Sequence, residues 1–123
     1  MSKRPINLNL LTISFPITAI VSILHRISGF FMFLMIPVFL TVIALTLQSP
    51  EAFFSVRTCF AYPLTKLLIL GFLFALFYHL FAGIRHLLMD AGVAEELKSA
   101  RFSARLVVVL AILLTGLMGV YLW

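Results

Sequence analysis

Three long apolar segments constrain what this chain can fold into more than any other feature of its sequence. The first, from about residue 28 to 47, carries no charge; the second lies between Lys66 and Arg85 and is interrupted only by His79; the third covers 106–123. A hydrocarbon core about 30 Å thick needs roughly 20 apolar residues in a helix. We therefore expect an all-α integral membrane protein of one domain, 1–123, with three transmembrane helices at about 22–47, 63–90 and 103–123.

Composition supports this assignment and excludes a soluble catalytic domain. Of the 123 residues, 63% are hydrophobic, and the mean hydropathy is +1.20. Such values lie far above those of soluble domains. The loops between the apolar segments are too short to hold a separate catalytic domain.

Basic residues are divided unequally between the two sides that three spans define. The first loop holds two, Arg57 and Lys66, whereas the side of the N-terminus and second loop holds seven: Lys3, Arg4, Arg26, Arg85, Lys98, Arg101 and Arg105. By the positive-inside rule we expect a cytoplasmic N-terminus and a C-terminus on the opposite side. Tyr121 and Trp123 would form an interfacial aromatic anchor there.

The first 21 residues and the single cysteine give weaker signals. Prolines at 5 and 16 interrupt residues 1–21, which lack the continuous apolar run and cleavage site of a signal peptide. We expect this segment to lie at the cytoplasmic interface. Cys59 has no second cysteine to pair with, so we expect it to behave as a small apolar side chain.

Prolines and a capping serine predict the helix boundaries. Pro37 should kink the first span, and Pro63 should open the second. The string "SPEAFF" has Ser49 at the N-cap and Pro50 at the first helical position, which predicts a short helix outside the membrane. Residues 90–105 suit a short cytoplasmic loop or helical turn.

His79 is the polar side chain expected deepest in the membrane. If Asp90 marks the cytoplasmic end of the second span, His79 lies about 16 Å inward. Residues at 71, 75, 79 and 83 are Gly, Ala, His and Gly, a stripe of small residues around one imidazole. The stripe permits either close packing of a helix that hydrogen-bonds His79 or a flat slot suited to a porphyrin. The spacing favours neither.

Haem iron on His79 would need a second ligand on the opposite haem face. His86 lies on the same helix, about 10 Å along it, and cannot supply that ligand. His25 is expected nearer the cytoplasmic surface, at a different depth. A haem in this protein would therefore require a ligand from another chain.

Ser22 and Arg26 are four residues apart, so they project from one helix face. Their donors could hold the carbonyl of an apolar ligand or a carboxylate such as a haem propionate. The alternative is that Arg26 extends to the lipid headgroups and binds no ligand, and the sequence pattern alone favours this alternative. The group around Arg85, His86 and Asp90 has the same ambiguity, because these residues could bind a ligand or could merely make headgroup contacts and a helix-end ion pair.

Three strings, "RPINLNL", "SILHRISG" and "HLFAGIRHLLMDAG", resemble the cytochrome b membrane-anchor subunit of succinate dehydrogenase, respiratory complex II. The likeness covers essentially the whole chain. It implies three helices forming half of a two-subunit helical bundle, located in the bacterial cell inner membrane with the C-terminus in the periplasm. It also implies that the chain alone has no activity.

The resemblance implies specific residue roles. His79 would be an axial ligand of haem b, shared with a second hydrophobic anchor subunit that supplies the other ligand. Ser22 and Arg26 would line the ubiquinone site, with Ile23 and Phe15 as its apolar wall, and His25 and Arg26 would lie near the haem propionates.

The implied partners are the flavoprotein that oxidises succinate, the iron–sulfur subunit, the second anchor subunit and membrane lipid, without nucleic acid. Electrons would pass from the iron–sulfur subunit to ubiquinone, which connects the tricarboxylic acid cycle to the respiratory chain. Two alternatives stay open: the anchor of a quinol:fumarate reductase, and a haem-free structural anchor.

Overall fold

The computed structural model describes residues 15–93 and 96–123, which form four α-helices. These are α1 (Ile17–Thr46), α2 (Pro50–Ala61), α3 (Pro63–Asp90) and α4 (Leu97–Leu122). The helices α1, α3 and α4 are long and apolar enough to cross a membrane, which confirms the expected fold class. At 1.5 Å per residue they are about 39–45 Å long, so their ends extend beyond a hydrocarbon core about 30 Å thick.

The helix bounds agree with the sequence for α3 and differ for the other two long helices. Helix α1 already begins at Ile17, so residues 17–21 of the expected interfacial segment are helical. Its first 14 residues lie outside the described part of the chain. Helix α4 begins at Leu97, six residues before the expected span. The apolar runs mark the hydrocarbon core, whereas the helices continue into charged turns beyond it.

The short helix α2 begins as its sequence predicts. The Ser49 hydroxyl accepts a hydrogen bond from the Ala52 backbone N–H at 3.1 Å, and Pro50 occupies the first helical position. A hydrogen bond from Ser49 and its own backbone N–H lower the pKa of the exposed Glu51 carboxyl below its ordinary value. The capping prediction is confirmed.

Helix α3 packs against α1 and α4, which also contact each other, and it runs antiparallel to both. Lys66, near the start of α3, places its Nζ 5.1 Å from the ring centroid of Trp123 at the end of α4. At the other end, Arg85 reaches the first turns of α4. Between these helices Gly92 adopts φ +79°, a left-handed conformation that lets the chain leave α3 in a tight turn.

The core is small and is built largely from alanines. Helix α4 buries four residues at spacings of four, three and four: Ala100, Ala104, Val107 and Ala111. The last three cluster with Ala82 of α3. Small side chains let two membrane helices approach closely. Within the small-residue stripe on α3, Gly83 lies close to α1, since a Cβ there would be 3.3 Å from Nε2 of His25, whereas a Cβ at Gly71 would meet nothing within 4 Å.

A buried tyrosine attaches α1 to this pair. Tyr78 is 4% exposed and donates its hydroxyl hydrogen to the Val21 carbonyl oxygen at 3.0 Å. Much of the remaining α1 surface is apolar and open, including Phe30 and Phe33, which are 65% and 64% exposed. This surface is available to lipid or to another membrane subunit.

Candidate functional site

The candidate site lies where the first half of α1 faces the second half of α3, and His79 is its centre. Nδ1 of His79 lies 3.1 Å from the His25 carbonyl oxygen and 3.1 Å from the Ser28 hydroxyl. A carbonyl oxygen can only accept, so Nδ1 carries the ring hydrogen. Ser28 donates its own hydrogen to the same carbonyl at 2.8 Å, which leaves its oxygen free to accept from Nδ1.

This hydrogen bonding determines what His79 can do. With the hydrogen on Nδ1, Nε2 keeps its lone pair, which is the form of a neutral imidazole that coordinates a metal ion. The two partners on α1 also fix the ring orientation. The side chain therefore fits one axial position of a haem iron.

A glycine on α1 makes room for the imidazole. A Cβ at Gly29 would lie 2.7 Å from Cε1 of His79, a distance shorter than Cβ atoms show in real proteins. Only a residue without a side chain admits the ring at this distance. Gly29 and Ser28 thus complete the His79 environment, and sequence reasoning missed both. Their positions three and four residues after His25, on one helix face, were the available signal.

His25 stacks on His79, which contradicts one step of the sequence argument. Their ring centroids are 4.2 Å apart and the planes are inclined by 20°. The expectation that His25 lies at a different depth was wrong, because the antiparallel helices bring residues 25 and 79 to the same level. Stacked imidazoles direct their nitrogens within nearly parallel planes, so the two rings do not converge on one metal ion.

His86 extends the stack toward the end of α3 and contacts Ser22. Its ring centroid lies 5.0 Å from that of His25. Nδ1 lies 2.7 Å from the Ala82 carbonyl oxygen, and Nε2 lies 3.3 Å from the Ser22 hydroxyl oxygen. Within residues 15–93 and 96–123, no cluster of three or more His, Cys, Asp or Glu side chains could hold a metal ion.

The other expected quinone residues lie on the outside of α1. Arg26 is exposed, Ile23 is 44% exposed, and Phe15, just before the helix, is 42% exposed. In the described residues Ser22 is hydrogen-bonded to His86, and no bond joins it to Arg26. The side of the site that Arg26 faces is therefore open.

An apolar groove lies on a neighbouring face of the bundle. It encloses about 260 Å³ between α1, α3 and α4, and Ser28 and Tyr78 contribute to its wall. Phe15 and Ile23 do not line it. The groove is therefore distinct from the expected quinone wall, although Ser28 connects it to His79.

Arg85 does not form the helix-end ion pair that its sequence neighbours suggested. The side chain is 6% exposed and points at α4, where Nε donates to the Ser103 hydroxyl at 3.1 Å. One terminal nitrogen donates to the Ala100 carbonyl oxygen at 3.3 Å. Arg85 thus joins α3 to α4 beside the site rather than within it.

Comparison with known proteins agrees with this arrangement. A model of the succinate dehydrogenase/fumarate reductase transmembrane subunit family matches residues 1–118. The chain belongs to this family. Members similar to it include the succinate dehydrogenase cytochrome b556 subunit of Coxiella burnetii, 41% identical over 99% of this chain and 98% of that protein.

Two further members of the family are more distant. The cytochrome b560 subunit of Reclinomonas americana is 36% identical over 92% of this chain and 82% of that protein. The cytochrome b556 subunit of Paracoccus denitrificans is 32% identical over 94% of this chain and 88% of that protein. The resemblance drawn from three short strings is thereby confirmed, and the chain is a multi-pass membrane anchor of complex II.

Proposed function

We propose that this chain is the haem b-binding anchor of a bacterial succinate:ubiquinone oxidoreductase. The observation that carries the proposal is the hydrogen bonding of His79, whose Nδ1 faces the His25 carbonyl and whose Nε2 keeps a lone pair. The names of the relatives, cytochromes b556 and b560, support a b-type haem. When bound, such a haem supplies a one-electron carrier within the membrane.

The second axial ligand would come from the other hydrophobic anchor subunit. The rings of His25 and His79 are stacked at 4.2 Å, an arrangement unsuited to binding iron between them. His25 and Arg26, adjacent in the first half of α1, would bind the haem propionates through their nitrogen donors. The open apolar surface of α1 provides room for the second half of the bundle.

Ubiquinone would bind near Ser22 and Arg26 at the cytoplasmic end of α1, with Ile23 and Phe15 against its apolar part. Arg26 would stabilise negative charge on a quinone oxygen as electrons arrive, and Ser22 would hold that oxygen by a hydrogen bond. The electrons would come from the flavoprotein through the iron–sulfur subunit, both on the cytoplasmic side. The excess of basic residues at that side supports this orientation.

The quinol:fumarate reductase alternative uses the same architecture, and the matching family includes both enzymes. The similar relatives are named as succinate dehydrogenase subunits, which favours the succinate direction.

The test is a reduced-minus-oxidised optical spectrum of membranes that contain all four subunits. We expect a b-type signal in the wild type and its loss or shift in His79→Ala. Leu80→Ala, at the exposed neighbouring position, is the control and should keep the wild-type spectrum. An unchanged spectrum in His79→Ala would contradict the ligand assignment. No b-type signal in any sample, with all subunits present, would instead favour the haem-free anchor.

The quinone assignment has a separate test in the rate of succinate-dependent reduction of a short-chain ubiquinone. We expect Ser22→Ala to raise KM about fivefold, as for the loss of one hydrogen bond, and Arg26→Ala to reduce kcat/KM about tenfold or more. Succinate oxidation with a soluble dye should be unchanged in both variants. Wild-type kinetics for both would place quinone elsewhere.

A further inference from the structure

Arg57, on α2, has no hydrogen-bonding or ionic partner within residues 15–93 and 96–123. The side chains of α2 and its cap that form hydrogen bonds there are Ser49, Ser55, Thr58 and Cys59. Glu51, the acidic residue of α2, lies six residues before Arg57 and therefore about 120° away around the helix. No described side chain thus neutralises the Arg57 guanidinium.

The depth of Arg57 in the membrane follows from its neighbours at the same end of the bundle. Helix α2 links the end of α1 to the start of α3 and contacts both helices, so it lies at the end opposite His79. At this end Lys66 places its Nζ 5.1 Å from the centroid of the Trp123 ring. Tryptophan is enriched at the boundary between water and hydrocarbon. Arg57 therefore lies at the level of the phospholipid headgroups.

Apolar side chains flank Arg57 on its own face of α2. Phe53 and Phe60 lie four residues before it and three residues after it, which places all three on one side of the helix. With Arg57, Val56 and Thr46 of α1, these phenylalanines line a groove of about 220 Å³. Phe53 and Phe60 remain 48% and 42% exposed. The groove thus offers apolar contact directly beside a cation.

We propose that Arg57 and this groove form a binding site for one anionic phospholipid. The guanidinium donates two parallel hydrogen bonds to the phosphate oxygens, and the groove receives the first part of an acyl chain. The nearby charge of Lys66 favours a headgroup that is negative overall, since it repels the ammonium group of a zwitterionic lipid. The site lies away from His79 and Ser22, so it is independent of the proposed haem and quinone sites.

The experiment is native mass spectrometry of the assembled four-subunit complex, titrated in micelles with phosphatidylglycerol and, in parallel, with phosphatidylcholine. We expect the wild type to retain one phosphatidylglycerol more than Arg57→Gln, whose affinity at this site should fall about tenfold or more, as for a lost charge-assisted hydrogen bond. Arg57→Lys should give an intermediate affinity, because it keeps the charge without the bidentate geometry. Phosphatidylcholine should show no comparable difference between variants.

Two phenylalanine variants distinguish a defined site from simple attraction of an arginine to the membrane surface. Phe60→Ala removes part of the groove wall and should weaken phosphatidylglycerol binding about threefold. Phe54→Ala is the matched control, because Phe54 is also on α2 and is 59% exposed but does not line the groove. It should bind phosphatidylglycerol as the wild type does. An unchanged b-type spectrum in every variant would show that the complex assembles normally.

Three results would overturn the site. The first is wild-type retention of phosphatidylglycerol by Arg57→Gln. The second is an equal loss of phosphatidylcholine in that variant, since the charge of the headgroup would then have no influence. The third is an equal effect of Phe60→Ala and Phe54→Ala, which would show that the groove takes no part. None of these results bears on the haem and quinone assignments, which the optical spectrum and the quinone kinetics test separately.

Discussion

The contact between Gly29 and His79 gives a prediction whose size follows from the structure. In Gly29→Ala the new methyl would lie 2.7 Å from Cε1 of His79, whereas ordinary contact begins at 3.4 Å. The ring cannot retreat freely, since it is stacked on His25 at 4.2 Å and hydrogen-bonded through Nδ1. Either the helices separate or the hydrogen bond to the carbonyl is lost.

The magnitude is the balance of three effects. Overpacking costs about 1–3 kcal/mol, and a lost hydrogen bond costs about 0.5–1.5 kcal/mol. Alanine gains about 1 kcal/mol over glycine in helix propensity. We therefore expect Gly29→Ala to lower the free energy of unfolding by about 0.5–3.5 kcal/mol and to shift or broaden the b-type absorbance.

The measurement is denaturation in mixed micelles together with the reduced-minus-oxidised spectrum of the complex. Gly116→Ala, on α4, is the matched control, because a Cβ there meets nothing within 4 Å in this chain. It should keep the wild-type spectrum and lose no stability. If Gly29→Ala matches the wild type in both measurements, the close contact with His79 does not exist as described.

Three further predictions concern bonds away from the haem site. Tyr78→Phe removes the hydroxyl that joins α3 to an α1 carbonyl and should cost about 0.6–1 kcal/mol in micelle denaturation; no loss would show that the bond is dispensable. Arg85→Lys cannot keep both hydrogen bonds to α4, so it should lower the free energy of unfolding by about 1–2 kcal/mol in the same assay. This loss should exceed that of Ser103→Ala, and an equal or smaller loss would contradict the two-bond description. Ser49→Ala should raise the pKa of the Glu51 carboxyl toward its ordinary value. The hydrogen bond stabilises the fold at pH values above the ordinary pKa and is lost as pH falls through the lowered pKa, so this pH-dependent stabilisation should weaken in the variant. An unchanged pKa in an NMR titration would contradict the hydrogen bond.

Sequence reasoning predicted the architecture well because its signals are strong and local. A run of apolar residues must be helical in a membrane, where every backbone group needs an internal partner. Pro63 and Asp90 therefore bounded α3 correctly, and Ser49 predicted the cap of α2. Helices α1 and α4 begin before the expected spans, because hydropathy detects the hydrocarbon core and not the helix that continues past it.

The site was predicted less completely, because its contacts depend on the register between helices. His79 stood out by its depth alone. Its stacking with His25 required knowing which turns of α1 and α3 face each other, and periodicity within one helix does not contain that information. The role of Gly29 could not be predicted for the same reason, because nothing in the sequence indicates that an imidazole packs against this glycine.

The bonds of Arg85 have a consequence for how the chain enters the membrane. Its acceptors, the Ser103 hydroxyl and the Ala100 carbonyl, lie in the first turns of α4 and are synthesised after α3. Until then the guanidinium must remain hydrated, since an unpartnered charge is costly in hydrocarbon. Helices α3 and α4 should therefore settle in the bilayer as one hairpin during biogenesis, to which α1 adds through Tyr78.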